Sequence, residues 1–415
     1  MTKNLTEVFW GDLNPEQLVD KYGSPLYVYN EQIIRERCRE LKNLLPYPWF
    51  TVNYSAKANS NLELLRLIKE EEINADAVSS GEIYLLLKAG FEPAQILFVA
   101  NNISAEEMKF AIDQGVTISL DSLSQLTTFG RINPGGRVSV RFNPGVGAGH
   151  HEKVTTGGKN TKFGVDAELV AEVKKIAAEY ALQIVGVNQH IGSLFLVGEP
   201  YVAGVRALLE IAAEFPELEF IDFGGGFGIP YHWSAGEERL DLTALAAELE
   251  RILPAWRRNY GREVKMKIEP GRYLVAESGV LLGRVLNVKQ NHTKKFVGAD
   301  LGFNVLMRPV LYDSYHEITA FRQGIPLSGG QQETVTVVGN ICESGDILGR
   351  ERNLPPLEVG DVLAVWDAGA YGYAMASNYN LRLRPAEVLI TTDGADKLIR
   401  KRDTFEDLLG NFPTL

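Results

Sequence analysis

"FTVNYSAKANSNLELLRLIKEEE", residues 50–72, contains one complete structural unit. Its opening run, FTVNYSA, is rich in aromatic and β-branched residues and reads as a strand. Its closing run, NLELLRLIKEEE, spaces apolar residues three and four apart and reads as an amphipathic helix. Lys57 stands between them, where the strand ends. A lysine there is either a surface residue opening a loop or an amine held for chemistry.

The same alternation continues from about residue 25 to 275. Strand-like runs are PLYVYN, NADAV, ILFVA, VTISL, RVSVRFN, IVGVNQHIG, FIDFGGG and KMKIEPG. Helical spacing appears in SAEEMKFAIDQG, DAELVAEVKKIAAEY and VAGVRALLEIAAEF. Ser79 with Glu82 and Ser104 with Glu107 read as capping boxes, and Gly90 before Pro93 as a helix stop. Repeated strand–helix units predict an α/β fold with a parallel sheet, most simply a (β/α)8 TIM-type barrel. After about residue 275 strands follow one another with turns between them: VLLGRVLNVKQ, KFVGAD, ETVTVVGNIC, DVLAVWDAG and AEVLITTDG. That texture predicts a mainly antiparallel C-terminal β domain, a sandwich or barrel. The expected division is 26–275 for the barrel, with 1–25 and 276–415 forming the β domain.

Composition narrows the function classes. With 42 basic and 53 acidic residues in 415, the net charge is −11, and no block of like charge stands out. Nucleic acid and anionic membranes are poor partners for such a chain. No apolar run is long enough to span a bilayer, and the N-terminus lacks a signal-peptide layout. Two cysteines, Cys38 and Cys342, make no disulfide framework, so a reducing cytoplasm is the expected compartment.

In a barrel, functional groups gather at the C-terminal ends of the strands. Lys57, Asp76, Arg141, Asn143, His190, Ser193, Gly224–Gly226, Glu269, Gly271 and Arg272 all fall at such ends. Each alone has an ordinary reading: a flexible glycine turn, a local Glu269–Arg272 ion pair, a core histidine. The shared phase on successive strands is the signal. GGGFG (224–228) does not fit the dinucleotide pattern, but it suits backbone N–H groups around a phosphate. His150 and His151 lack companions at metal-binding spacing. In the β domain, CESGD (342–346) places a thiol beside a carboxylate and turn residues, and DAGAYG carries Tyr371.

Taken in order, YSAKAN, the aspartate before VSSGE, HIGS, GGGFG, EPGR, CESGD and DAGAYG resemble the fold-type III pyridoxal-phosphate decarboxylases, which are alanine-racemase-like. TTGGKNTKFG (155–164) and LMRPVLYDSYHEI (306–318) make the chain most similar to the members that decarboxylate meso-2,6-diaminopimelate to L-lysine and CO2. The resemblance covers nearly the whole chain. It implies pyridoxal 5'-phosphate (PLP) as cofactor, in a Schiff base with Lys57, with Asp76 nearby and His190 stacked on the ring. It implies that Ser193, Gly225, Gly226, Gly271, Arg272 and Tyr371 hold or flank the phosphate, and that Glu269 faces the ring nitrogen. Arg272, Arg308 and Tyr312 are then expected at the substrate carboxylates, with Glu343 and Tyr371 close by. Cys342 is the implied proton donor. The resemblance also implies a homodimer in which Cys342 and Glu343 serve the partner's site.

Two departures bear on the substrate's distal end: Leu194 and Phe195 follow HIGS where the family often has Gln, and GADLGFN (298–304) differs from its usual wording. The alternatives are a decarboxylase for lysine, ornithine or carboxynorspermidine, an amino-acid racemase with a tyrosine as second base, a non-catalytic PLP-binding regulator, and a metal-dependent barrel hydrolase. CESGD speaks against the racemase, the β domain against the regulator, and the missing metal spacing against the hydrolase.

Overall fold

The computed structural model describes residues 8–145 and 161–413. The chain forms two compact units. One takes the chain up to Ile34, returns for Pro230–Glu238 and resumes at Val275; the other comprises Arg35–Ile229 and Arg239–Leu274.

The first strand departs from expectation. β1 (Leu26–Asn30), grouped by sequence with the barrel's strand–helix units, lies in the β unit instead. All five of its residues are buried, so it has no polar side to mark it as part of either sheet.

The barrel uses β2 (Phe50–Ser55), β3 (Asn74–Ala77), β4 (Ile96–Val99), β5 (Thr117–Leu120) and β6 (Arg137–Asn143). After the two-residue β7 (Val165–Asp166), which pairs only with β6, come β8 (Gln183–Asn188), β9 (Phe220–Asp222) and β10 (Lys265–Ile268). Each of the eight barrel strands runs parallel to its neighbours, and β10 returns to β2, so the barrel closes. Closure leaves no edge strand exposed. The expected helices are present, and Leu123–Ile132 and Leu242–Tyr260 add two that the apolar spacing did not flag. Ser104 and Glu107 complete a capping box. At the next expected box Ser79 accepts the Glu82 N–H, but Glu82 Oε2 takes the N–H of Val78 rather than that of Ser79. Gly90 ends that helix in the left-handed region, φ 95°.

The barrel interior is unusually polar for a core. Asn53, Asp76, Ser119, Ser139, Asn188 and Asp222 are all buried. Their strand registers put Ser119 opposite Ser139, Asn188 opposite Asp222, and Asp222 opposite Lys267.

The β unit continues with β11 (Gly279–Asn291), β12 (Lys294–Ala299), β13 (Ile318–Arg322), β14 (Ile325–Pro326) and β15 (Glu333–Val338). It ends with β16 (Ile347–Leu354), β17 (Val362–Val365), β18 (Ala386–Ile390) and β19 (Asp396–Arg400). These nine strands and β1 make one sheet, ordered β14-β13-β17-β11-β1-β18-β19, with β12, β15 and β16 branching from β11. Only the β1–β18 and β12–β15 pairs are parallel. Its core joins Phe9, Trp10, Leu26, Val28, Val280, Trp366 and Val388. No helix among the described residues is long and apolar enough to cross a membrane.

Candidate active site

Six loops and strand ends of the barrel carry the residues singled out above. Lys57 sits in a one-turn helix, Ala56–Ala58, directly after β2. Parallel pairing of β2 with β3 sets Ser55 opposite Asp76, so the next residues of each strand point to one end. Lys57 Nζ lies 3.9 Å from Asp76 Oδ2. Asp76 is buried beside the Ser55 hydroxyl. Burial raises its pKa, opposed by the charge of Lys57.

His190 follows β8. Its Nδ1 accepts the Gly225 N–H at 3.2 Å, so in the neutral ring the proton lies on Nε2. Removal from water, then the charges of Lys57 and Arg141, push its pKa well below the usual imidazole range. The loop after β8 is zipped to the loop after β9: Phe195 donates its N–H to Gly226 O, and Gly228 donates to Phe195 O, both at 3.0 Å. The Phe195 ring packs on Phe227 and Tyr201, with centroids 5.1 and 5.0 Å away. Phe195, one of the two departures after HIGS, is thus a buried clamp between loops. Leu194 beside it has φ 65°.

The glycines between them are required by space. A Cβ on Gly225 would lie 2.0 Å from Glu269 O, and one on Gly226, at φ 104°, would lie 2.5 Å from Gly192 O. After β10, Glu269 and Arg272 are buried, and Gly271 sits against Ser55 and Ala58. Arg272 Nη2 donates to Ser193 Oγ at 2.9 Å, joining two of the expected phosphate ligands. Burial pushes the Glu269 carboxyl well above the usual range, and Asp222 and Asp76 push it further. Sequence reasoning overlooked Asp222, although a carboxylate inside the apolar run FIDF was a visible signal. It also left Arg141 without a role. That guanidinium is buried, lies over the Phe163 ring at 4.7 Å, and faces Glu269, Asp121 and Asp76.

The remaining expected residues belong to the β unit. Arg308 opens the short helix Arg308–Tyr312 and is fully buried. Its Nη1 meets His316 Nε2 at 2.8 Å, its Nη2 donates to Ser314 Oγ at 3.3 Å, and its Cζ lies 4.4 Å above the Tyr231 ring. His316 Nδ1 lies 2.7 Å from Trp366 O, which places the ring proton there and leaves Nε2 to accept from Arg308. Cys342 is exposed, and its N–H donates to Asn380 Oδ1. Glu343 accepts from the Tyr379 hydroxyl at 2.6 Å. Tyr371 holds φ 56°, a conformation non-glycine residues seldom adopt. His150, His151 and residues 155–160 lie outside the described residues.

Residues 31–276 match the pyridoxal-binding domain of the pyridoxal-dependent decarboxylases. A diaminopimelate decarboxylase of Methanothermobacter thermautotrophicus is 45% identical, across 96% of this chain and 94% of that protein. The chain belongs to the diaminopimelate decarboxylase family. Another member, from Escherichia coli K12, is 37% identical over 96% of both chains. A crystal structure of the family's Helicobacter pylori member, complexed with L-lysine, superposes with a TM-score of 0.87 at 35% identity, covering 96% of this chain and 98% of that one. PLP is the family's cofactor, and the barrel end fits it chemically. An amine is available at Lys57, two glycines leave a cradle that any Cβ would fill, Ser193 and Arg272 lie together for a phosphate, and Glu269 offers a buried oxygen.

Proposed function

We propose that the protein decarboxylates meso-2,6-diaminopimelate to L-lysine and CO2, the last step of lysine biosynthesis, with PLP carried on Lys57. The observation that carries this reading is the convergence of Lys57, Asp76, His190, Ser193, Glu269 and Arg272 at one end of a closed barrel. PLP, when bound, delocalises the electron pair that CO2 loss leaves on Cα.

The chain's own groups do the rest. Lys57 supplies the amine, and Asp76 sets its charge environment. His190, kept neutral, offers a flat ring face without adding a cation beside the cofactor. Ser193, Gly225, Gly226, Gly271, Arg272 and Tyr371 hold or flank the phosphate. Glu269 keeps a proton at the ring nitrogen. Arg272, Arg308 and Tyr312 bind substrate carboxylates, with Glu343 and Tyr371 beside them. The contacts of Arg308 with His316, Ser314 and Tyr231 fix its guanidinium before substrate arrives, which lowers the entropy cost of binding. Cys342 delivers the proton that replaces CO2.

We assign the barrel to PLP binding and the β unit to the active site of a second copy. Exposure of Cys342 and Glu343, with the apolar Leu381 and the Tyr379 ring uncovered beside them in space, supports a homodimer that covers this surface. Free thiols at both cysteines suit a cytoplasmic enzyme.

A CO2-release assay with diaminopimelate, L-lysine, L-ornithine and carboxynorspermidine tests the substrate. Diaminopimelate should give the highest kcat/KM. Arg308→Ala should cost about 1.5–3 kcal/mol of transition-state binding for diaminopimelate and less for a substrate with one carboxylate. A preference for lysine or ornithine would reassign the enzyme.

A further inference from the structure

Two buried carboxyl groups meet inside the barrel, and only one of them has a part in the reading above. Asp222 ends β9, in register between Asn188 on β8 and Lys267 on β10. Glu269 follows two residues after Lys267, on the same face of the strand line. Both side chains are buried. Asp222 Oδ1 accepts the Gly224 N–H at 2.9 Å. Its Oδ2 and Glu269 Oε1 meet no hydrogen-bond donor among the described residues, yet the two carboxyls lie within hydrogen-bonding reach of each other.

Two ionised carboxylates are acceptors only and cannot bond to one another. A single proton between them satisfies both orphaned oxygens at once. We propose that Asp222 and Glu269 form a carboxyl–carboxylate pair sharing one proton, and that Asp222 is the positioning residue that holds the Glu269 carboxyl so that its other oxygen faces the cofactor. The catalytic consequence rests on the PLP reading; the pair itself does not.

The surroundings agree. Burial pushes Asp222 up to about 6, and burial with Asp222 raises Glu269 well above the usual range. Both shifts run in the direction that a shared proton requires. Lys267 lowers the Asp222 pKa and is the nearby cation on the adjoining strand. Asp76 raises both groups, Lys57 lowers Glu269, and Arg141 and Tyr201 also face the pair.

The test is infrared spectroscopy of the cofactor-free protein, labelled with 13C-glutamate. At pH 7 un-ionised glutamic acid absorption should be present, and Glu269→Gln should remove the part due to Glu269 while leaving that of Glu82, whose carboxyl burial lifts to about 7. In Asp222→Asn the amide donates to an ionised Glu269, so the pH midpoint of the Glu269 part should fall by about one unit or more. A Glu269 that is ionised at pH 7, or a midpoint unmoved in Asp222→Asn, overturns the pair. If Asp222→Asn does not fold, 13C-aspartate in Glu269→Gln decides: Asp222 should ionise about one unit or more lower than in the parent, and an unchanged midpoint overturns the proposal. With PLP added, Asp222→Asn should shift the pH midpoint of the visible absorption. Its kcat should fall on the order of tenfold, with KM within about twofold. Unmoved absorption and kcat overturn the positioning role. A colourless protein that keeps the infrared result instead supports the pair and overturns the PLP reading.

Discussion

Lys57 sits 3.9 Å from a buried aspartate, in the one-turn helix Ala56–Ala58, where both alanines are buried. Under the proposed function its amine is the cofactor's attachment point. Borohydride treatment of the PLP-loaded protein should therefore fix the added mass on the peptide containing Lys57, and Lys57→Ala should lose both the visible band and nearly all activity. Label on another lysine defeats the assignment. Glu82 gives a different kind of residue-level forecast. Burial lifts its carboxyl to about 7, against the stabilising N–H of Val78. A carboxyl whose folded pKa is raised binds its proton more tightly in the folded state, so its contribution is complete below the unfolded pKa and is lost as pH rises towards 7. Glu82→Gln stays neutral and can still accept from Val78. It should gain stability over the parent at pH 8, on the order of 1 kcal/mol, and show little gain at pH 5. An equal difference in melting temperature at both pH values rules this out. At this scale the sequence was informative where a charged residue ended a strand, as at Lys57 and Glu269. It was less so at Asp222, which closes β9 inside the run FIDF, because a single letter inside an apolar run carries no sign of which neighbour it meets.

The loops after β8 and β9 behave as one element. Two backbone hydrogen bonds and the Phe195–Phe227–Tyr201 cluster tie them together, and the Gly225 N–H reaches His190 from the same segment. Phe195→Ala should cost about 3–5 kcal/mol of stability at most, the range for emptying a buried aromatic site. Because the glycine loop loses its brace, PLP affinity should fall as well, measurably by absorbance titration of the folded variant. Destabilisation with unchanged PLP affinity would separate the clamp from the cofactor loop. Barrel elements were largely legible, since most strands were followed by a helix with its own apolar spacing, the helices after β5 and β9 being exceptions. The β unit was less so. β13 is five residues long, β16 carries GRERN, and β19 is DKLIR at the end of the sheet order. Such polar strands take their conformation from neighbours distant in sequence rather than from their own pattern.

For the whole molecule, the proposed shared site makes a prediction that single chains cannot meet. Lys57→Ala and Cys342→Ala homodimers should each be nearly inactive. Mixed after reversible dissociation, random pairing makes half the dimers mixed, and each of these has one intact site, so roughly a quarter of wild-type activity should return. No recovery despite verified subunit exchange would place Cys342 in its own chain's site or outside catalysis.

β1 also sets an order of events during synthesis. It leaves the ribosome early, yet its two sheet partners are β11 and β18, and β18 begins at Ala386. At roughly 5–20 residues per second, β1 waits about 20–70 s for that partner. The barrel's strands are made without such a gap and close on one another by Ile268. The nascent chain can thus finish its barrel while an apolar five-residue segment near its start is still unpaired. That interval exposes the segment to chaperones and to wrong strand partners, and a stalled ribosome whose emerged chain ends just before β11 should display a folded barrel with β1 unclaimed.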